Sequence, residues 1–170
     1  MIQAHFSGDS ISSNSAEAFS LCEKSSFGEK AGQKIEYANV EALFLAKEGR
    51  MEIFSGKNAV KEEAILKKLK KHDKKIETKL AVYSDLRKRG YVPKTALKYG
   101  ADFRVYDKGI KPGDAHARWI LFAVKQHDAL DWHDFAAKNR IAHSTKKNLL
   151  IAIVDEEGDV SYYEVSWIKP

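Results

Sequence analysis

The run NLLIAIV, residues 148–154, constrains the fold most, because apolar side chains fill both alternating positions of the strand that it predicts. A strand with one face in water alternates apolar and polar residues, whereas a strand of this kind has to be covered on both faces. The turn sequence EEGD, which includes Gly158, then joins it to VSYYEVSWI as a predicted hairpin. We therefore expect a mixed β-sheet flanked by helices in the C-terminal part of the chain.

The rest of the sequence predicts short helices and strands on both sides of a charged linker, KKHDKK. Strands are indicated by QKIEY (33–37), residues 51–54, VPKTALKY, DFRVYD and RWILFAVK. Two helices are predicted before the linker, one from an N-cap at Asn39 with Gly49 just past its end and one from an N-cap at Asn58 to about Lys71. A third is predicted over about 77–89, before Gly90. A fourth runs from an N-cap at Asp131 to about Ile141, with Trp132, Phe135 and Ala136 on one face. The predicted fold class is α/β (α+β) with two small domains, an N-terminal α/β domain over 1–72 and a C-terminal domain over 77–170. Residues 5–34 show no clear pattern.

Composition limits the classes of protein to which the chain can belong. No segment approaches the ~20 apolar residues of a membrane span, and the N-terminus lacks the features of a signal peptide, so we expect a cytoplasmic protein without a membrane partner. The single cysteine, Cys22, leaves no internal disulfide and no thiolate zinc site. Residues 57–98 carry fourteen Lys/Arg against five Asp/Glu in a chain of net charge +5. This block favours nucleic acid as the partner, with a solvated helix face as the alternative that charge alone leaves open.

Three residues at predicted strand–loop junctions could form a reactive site: Tyr106, His116 and Lys147. A phenol, an imidazole and an ammonium can remove a proton, donate one and neutralise a phosphate, which suits cleavage of RNA through its own 2′-hydroxyl. A strand tyrosine or a loop histidine is often structural, however, and a tyrosine of ordinary pKa near ~10 is a poor base, so spacing alone leaves both interpretations open. Lys146 would point to the opposite face from Lys147 if both lay in the strand.

Metal and nucleotide-cofactor sites are not predicted. The six histidines form no HxH or HExxH pair, and His127 and His133, beside a helix start, are interpreted as surface or cap residues. The D-x-K step that a Mg²⁺ nuclease needs at a sheet edge occurs at Asp73 to Lys75, in the charged linker. No GxGxxG, Walker-type or Gly-x-Ser-x-Gly sequence is present. We therefore expect no metal and no other cofactor.

Long runs of the sequence resemble a known family. YGADFRVYDKG, HARWILFAVK and AHSTKKNLLIAIVDEEGDVSYYEVSWIKP are similar to the catalytic domain of archaeal tRNA-splicing (tRNA-intron) endonucleases, and GEKAGQKIEYANVEALFLAKEGRMEIF resembles their N-terminal domain more loosely. The resemblance implies a metal-independent tRNA-intron lyase that cuts precursor tRNA at bulge-helix-bulge motifs and leaves 2′,3′-cyclic phosphate and 5′-hydroxyl ends. It assigns Tyr106 as general base, His116 as general acid and Lys147, rather than Lys146, as the residue that stabilises the transition state.

The resemblance also implies RNA and subunit contacts. Arg140 resembles an arginine that clamps a bulged base, although its partner arginine has no match, and Tyr162 and Trp167 stand in the equivalent region. An acidic loop would dock on another subunit, and the last strand would pair subunits in a homotetramer, or else in a heterotetramer with a structural subunit. The interface residues so implied are Asp155, Glu156, Glu157, Asp159, Tyr163, Val165 and Trp167. The alternative interpretations are a solvated turn and an ordinary edge strand, and the alternative functions are a non-catalytic RNA-binding subunit and a Mg²⁺-dependent nuclease.

Overall fold

The computed structural model describes all 170 residues and divides into two compact units, Met1–Leu80 and Ala81–Pro170. The first unit contains strands β1 (Ile2–Ser7), β2 (Ser10–Ser13), β3 (Glu29–Ala31), β4 (Lys34–Tyr37), β5 (Met51–Ser55) and β6 (Asn58–Val60) and helices α1 (Ala16–Ser25), α2 (Asn39–Lys47) and α3 (Glu62–Lys70). Its sheet has the order β3-β4-β2-β1-β5-β6, in which β1 and β5 are parallel and the other neighbours antiparallel.

Helix α2 is the most deeply buried element of the first unit, with every residue from Val40 to Leu45 buried. The predicted N-cap, Asn39, is wrong by one residue, because the cap is Ala38. Alanine offers no oxygen to the helix, and the Glu41 carboxylate instead accepts the Ala38 backbone N–H at 3.2 Å. The predicted end is confirmed, since Gly49 follows the helix with φ +67°.

The predicted helix cap at Asn58 is wrong. Asn58 begins strand β6 and pairs with Ser55 across a two-residue turn made by Gly56 and Lys57. Gly56 has φ +63°, the left-handed conformation that tight hairpin turns require and that glycine adopts without strain. Helix α3 therefore begins only at Glu62 and ends at Lys70, and the charged linker follows it as predicted.

The N-terminal residues that showed no clear pattern form half of the first sheet together with α1. Ile2 and Ala4 on β1, and Ile11 and Ser13 on β2, are buried at alternating positions. These strands are only six and four residues long, so each offers too few alternations to stand out in the sequence. The next helix begins with a standard cap, in which the Ser15 hydroxyl accepts the Ala18 N–H at 3.2 Å.

Helix α4 (Ile76–Lys88) crosses the division between the units, and the second unit then forms a five-stranded sheet. Its strands are β7 (Val92–Ala96), β8 (Ala101–Tyr106), β9 (Trp119–Lys125), β10 (Asn148–Val154) and β11 (Val160–Val165), with a short 3₁₀ turn at Leu97–Tyr99 and helix α5 (Trp132–Ser144). The order is β11-β10-β9-β8-β7, with β9 and β10 parallel and the other neighbours antiparallel. The mixed sheet and the hairpin at Gly158 are confirmed.

Strand β10 is covered on both faces, as its apolar sequence predicted. On one face, Phe103 of β8 stands in register with Leu121 and Leu150, and α4 packs Tyr83 there, with 5.9 Å between the Tyr83 and Phe103 ring centres. On the other face α5 packs Ala142 into a cluster with Ile120 and Leu149. None of the helices is both long enough and apolar enough to cross a bilayer.

Helix α5 starts where predicted and runs three residues further. The Asp131 carboxylate accepts the Asp134 N–H at 2.7 Å, which confirms the N-cap. The predicted apolar face is wrong at two of its three residues, because Trp132 is 84% exposed, with an edge-on contact to Phe135, and Ala136 is exposed too. The buried residue of α5 is Ala142, close to its C-terminal end, so the helix packs on the sheet mainly through its later turns.

Candidate active site

Three segments of the second unit meet at one end of its sheet. Val105, Trp119 and Asn148 stand side by side on β8, β9 and β10. The next position outward brings Tyr106, Arg118 and Lys147 into one row. Two backbone hydrogen bonds join this row to the sheet: the Arg118 N–H donates to Val105 O at 2.9 Å, and the Asn148 N–H donates to Arg118 O at 3.1 Å.

The spacing within this row suits a substrate phosphate. Neighbouring strands lie about 4.8 Å apart, so the backbones at Tyr106 and Lys147 are separated by about 10 Å. Their side chains can approach one phosphodiester from two sides. Arg118 adds a third polar side chain between them.

Tyr106 occupies the last position of β8 and is 5% exposed. Its ring packs in a small apolar cluster with Val92, Ala117 and Ile110. The guanidinium carbon of Arg104, two residues earlier on the same face of β8, lies 6.0 Å from the centre of the Tyr106 ring. The backbone and ring of Tyr106 are therefore held in one orientation at the end of the sheet.

His116 lies in the loop between β8 and β9, and its side chain is exposed. Two features hold the loop at this point. Pro112 and Ala115 form an isolated β-bridge around the Gly113–Asp114 turn, and the next residue, Ala117, is buried in the same cluster as Tyr106. The backbone at His116 is thus held one residue from the tyrosine cluster, and its imidazole is open to solvent.

Lys147 follows the end of α5 rather than lying in a strand, since β10 begins at Asn148. The Lys147 N–H donates to Ala142 O at 2.9 Å and the Lys146 N–H to His143 O at 3.0 Å, which is the Schellman pattern that ends many helices. Lys146 accordingly adopts φ +55°, in the left-handed region. The Lys147 ammonium donates to Thr145 O at 2.9 Å and has two further N–H groups with which to bind a substrate.

Arg118 is the residue of this site that sequence reasoning missed. Its guanidinium is half exposed, stacks 4.4 Å from the centre of the Trp119 ring, and lies 3.5 Å from an Asp107 oxygen and 3.9 Å from a Glu164 oxygen. The Trp119 indole N–H also donates to Glu164. The available signal was the position of Arg118 at the start of the predicted strand RWILFAVK, two residues after His116.

Arg140 lies on the exposed side of α5, in the half of the helix that leads to Lys147. His143, one turn further on, packs edge-on against Trp167 with 4.6 Å between ring centres. Arg140 and His143 are three residues apart and lie on the same side of the helix, so Trp167 packs on the side that carries Arg140. Trp167 is 59% exposed, which leaves much of its ring open.

Tyr162 is fixed on α4 instead. Its hydroxyl donates to the Asp85 carboxylate at 2.8 Å, and the Arg89 guanidinium carbon lies 5.9 Å from the centre of its ring. Burial raises the pKa of Tyr162, and donation to Asp85 raises it further. Of the two aromatic residues that the sequence placed near Arg140, the structure therefore brings Trp167 to that helix and not Tyr162.

The acidic residues lie at the tip of the β10–β11 hairpin. The Asp155 carboxylate accepts the N–H groups of Glu157 and Asp159, each at 2.9 Å, and so maintains the turn. Glu156 pairs with His127 at 2.9 Å, between two largely exposed side chains. The carboxylates of Glu157 and Asp159 extend into solvent from this turn.

The outer strand β11 has neighbours on one side only. Tyr163 on this strand is 57% exposed, and Val165 is its last residue. The predicted strand VSYYEVSWI is too long at its end, because β11 ends at Val165 and Trp167 lies two residues beyond it.

Asp131, His133 and Asp134 form the one group of residues with the spacing of a metal site, with ligand atoms within 4.8 Å of one another. All three are exposed, and the Asp131 carboxylate already caps α5. The N-terminal end of a helix also carries partial positive charge, which opposes a cation. This group lies at the opposite end of α5 from Lys147, about 20 Å along the helix axis.

Comparison with known proteins matches both units of the chain. The family model for the tRNA intron endonuclease catalytic C-terminal domain matches residues 76–162, and the model for the tRNA intron endonuclease N-terminal domain matches residues 2–66. A tRNA-splicing endonuclease of Thermococcus gammatolerans is 36% identical over 170 residues, 99% of each chain. Those of Nanoarchaeum equitans and Methanothermobacter thermautotrophicus are 39% and 35% identical, over 77% and 86% of this chain and 88% and 85% of their own lengths.

Proposed function

Because this chain belongs to the tRNA intron endonuclease family, we propose that it removes introns from precursor tRNA by metal-independent cleavage of the RNA at the end of the second sheet. The observation that carries this proposal is the row of Tyr106, Arg118 and Lys147 with His116 beside it. The row brings a phenol and two cations to one end of the sheet, and the adjoining loop adds an imidazole. These groups supply every proton transfer and charge that RNA self-cleavage requires.

The reaction takes place in one displacement at phosphorus. Tyr106, acting as the phenolate, accepts the proton of the ribose 2′-hydroxyl as the 2′-oxygen attacks the adjacent phosphorus. The bond from phosphorus to the 5′-oxygen breaks, and His116 donates a proton to that oxygen as it leaves. The products are a 2′,3′-cyclic phosphate and a 5′-hydroxyl, so no water is consumed and the enzyme is a lyase.

The two cations act on the phosphate. The Lys147 ammonium stabilises the charge that accumulates on the non-bridging oxygens during the displacement. Arg118, held between Asp107 and Glu164, offers a planar guanidinium to the same group. Replacing Arg118 with methionine, which keeps the stacking volume on Trp119, should lower kcat/KM by about tenfold to a hundredfold for the loss of one charge-assisted hydrogen bond.

The substrate motif in this proposal is a bulge-helix-bulge, two bulges separated by a short helix. A double-stranded RNA groove conceals the base edges, whereas bulged nucleotides expose them, so recognition is by shape and stacking. Arg140 and Trp167, neighbours on the outside of α5, would hold a bulged base between a guanidinium and an indole. Trp167 would thus take the place of the second arginine of the family clamp.

Two bulges need two sites, and we propose a homotetramer. The outer strand β11 would pair one protomer with another through Tyr163, Val165 and the adjacent Trp167. The acidic hairpin, with Glu157 and Asp159 extended into solvent, would dock on a basic surface of a further protomer. A heterotetramer with a separate structural subunit is the alternative assembly, and mass by light scattering together with subunit composition separates the two.

The proposal is tested by incubating the purified protein with intron-containing precursor tRNA in EDTA. We expect two cuts and fragments with 5′-hydroxyl ends, which a polynucleotide kinase labels without prior phosphatase treatment. Cleavage that requires Mg²⁺ and stops in EDTA would support a metal-dependent nuclease and refute the mechanism. Binding without cleavage in either condition would instead assign the chain to the non-catalytic, structural class of subunit.

A further inference from the structure

The nine residues from Lys67 to Lys75, here called the lysine segment, concentrate positive charge on the surface of the first unit. The segment contains six lysines and one acidic residue, Asp73. It covers the last turn of α3 and the linker before α4, and all six lysines are exposed. The one deeply buried residue among the nine is Leu69, and the exposed residues are the six lysines and His72.

Few of these charges are neutralised within the chain. Lys70 pairs with Glu77 at 2.6 Å, and Asp73 pairs with Lys79 at 2.8 Å, outside the segment. Lys68 lies 5.5 Å from the centre of the Phe6 ring. The remaining lysines have no ion-pair partner, and they are Lys67, Lys71, Lys74 and Lys75.

Other exposed lysines of the same unit are neutralised. Lys30 pairs with Glu23 at 3.0 Å, and Lys34 with Glu36 at 2.8 Å. These two lysines of the β3–β4 hairpin therefore have acidic partners, whereas four of the six lysines in the lysine segment named above have none. Mutual repulsion among the unpaired charges opposes folding, so a gain elsewhere has to offset it.

Helix stability explains only part of the segment. Lysines in the last turn of α3 interact favourably with the negative end of that helix. Lys74 and Lys75 immediately precede α4, and their charges interact unfavourably with the positive N-terminal end of that helix. Asp73 accepts the Lys75 N–H at 2.9 Å in the turn before α4 and supplies one negative charge there, which the two lysine charges oppose.

We propose that the lysine segment binds the sugar–phosphate backbone of the RNA substrate, away from the cleaved bond. This inference rests on the proposed function for the identity of the RNA. Ammonium groups on flexible stems suit phosphates and do not read bases, and the segment offers no arginine fork, with His72 as its one ring. The contact is therefore independent of sequence and weakened by salt.

RNA fits this surface better than a protein partner does. The core of a protein interface is enriched in aromatic residues, methionine and arginine and depleted in lysine. The lysine segment exposes six lysines and contains no phenylalanine, tyrosine, tryptophan, methionine or arginine. A regular array of phosphates, by contrast, can engage several exposed ammonium groups at once.

Two variants with equal loss of charge test the inference. In the first, Lys67, Lys71, Lys74 and Lys75 become glutamine, which keeps helix propensity. In the control, the exposed lysines Lys24, Lys30, Lys34 and Lys57 become glutamine. Both changes lower the net charge from +5 to +1, so the two variants have the same net charge and lose it at different places.

The measurement is affinity for intron-containing precursor tRNA between 50 and 200 mM salt, in a His116→Ala background that leaves the RNA uncut. Each lost phosphate contact reduces the slope of log K against log salt by about 0.7 to 0.9. We expect the lysine-segment variant to reduce the slope by about 2 to 3 and to weaken binding more than tenfold at the lowest salt, and the control to change the slope by less than 1. Equal slopes for the two variants would overturn the inference.

The remaining outcomes separate this inference from the proposed function. If the wild-type chain fails to cut precursor tRNA but the slopes differ as expected, the proposed function fails and the lysine segment remains an RNA contact. If the chain cuts RNA and the slopes are equal, the proposed function stands without this contact. If the lysine-segment variant alone loses oligomer mass in light scattering, the segment binds another copy of the chain, and the RNA inference is wrong.

Discussion

The same substitution, tyrosine to phenylalanine, should have opposite effects on stability at two sites of this protein. The Tyr37 ring is 5% exposed, and its hydroxyl oxygen is buried without a hydrogen-bond partner. Burial raises the pKa of Tyr37, and the nearby Cys22 and Glu41 groups raise it further. The Tyr162 hydroxyl, by contrast, donates to the Asp85 carboxylate at 2.8 Å.

The two magnitudes follow from whether the hydroxyl is paired. Burying a hydroxyl without a hydrogen-bond partner costs about 1 to 3 kcal/mol of desolvation, and no hydrogen bond in the folded state offsets this cost. Tyr37→Phe should therefore stabilise the protein by about 1 kcal/mol or more. A hydrogen bond to a charged group contributes about 1.5 to 3 kcal/mol. Tyr162→Phe should lose the lower part of this range, about 1.5 kcal/mol, because Arg89 still pairs with Asp85 at 2.7 Å.

Urea unfolding followed by far-ultraviolet circular dichroism measures both changes. All three tryptophans lie in the second unit, so their fluorescence reports separately on Tyr162→Phe. The midpoint for Tyr37→Phe should move to higher urea and that for Tyr162→Phe to lower urea, with unchanged m-values. The reasoning is refuted if Tyr37→Phe destabilises the protein as much as Tyr162→Phe does, since the Tyr37 hydroxyl would then have a partner.

Three further outcomes are expected. His116→Ala should abolish cleavage while leaving RNA affinity and unfolding midpoint nearly unchanged, whereas His133→Ala should cleave normally; a His116 variant that unfolds would assign that histidine a structural role. Lys146→Gly should stabilise the protein by up to about 1 kcal/mol, as relief of the left-handed conformation exceeds the entropy cost of glycine, and should keep cleavage activity, in contrast to Lys147→Ala. Because its pKa is raised in the folded state, the Tyr162 phenol stays protonated there at a pH where the unfolded chain ionises. Its contribution to stability is therefore complete below pH about 10 and declines by about 1.4 kcal/mol per pH unit above it. Tyr162→Phe should reduce the alkaline slope of the unfolding free energy by that amount.

Strong periodic patterns in the sequence predicted the second unit well. The apolar run of β10 required cover on both faces, and the structure provides α4 and α5. The first unit was harder to predict, because β1, β2 and β3 are only six, four and three residues long. Asn58 shows a second limit, since a good helix-capping residue serves equally well after the Gly56–Lys57 turn, and only tertiary pairing decides between the two.

The candidate site shows which properties a sequence conceals. Strand ends can be predicted, and they place Tyr106 and Lys147 at loop junctions. The register between strands cannot be predicted in this way, and it is the register that brings Arg118 into the row with them. The exposure of Trp132 was missed for a related reason, because helical spacing identifies an apolar stripe but not which turns of the helix reach the sheet.

The end of α5 explains how the chain can distinguish two adjacent lysines. Helices α2 and α4 end with the same Schellman hydrogen bonds as α5, and both have glycine, Gly49 and Gly90, at the position that turns left-handed. In α5 that position is Lys146, which accepts a backbone conformation that glycine would adopt without strain. The turn directs the chain into β10 and leaves Lys147 as the residue whose ammonium is fixed, by Thr145 O, at the end of the sheet. The geometry of the helix end, rather than strand alternation, therefore makes Lys147 the lysine whose backbone stands in register with Arg118 and Tyr106.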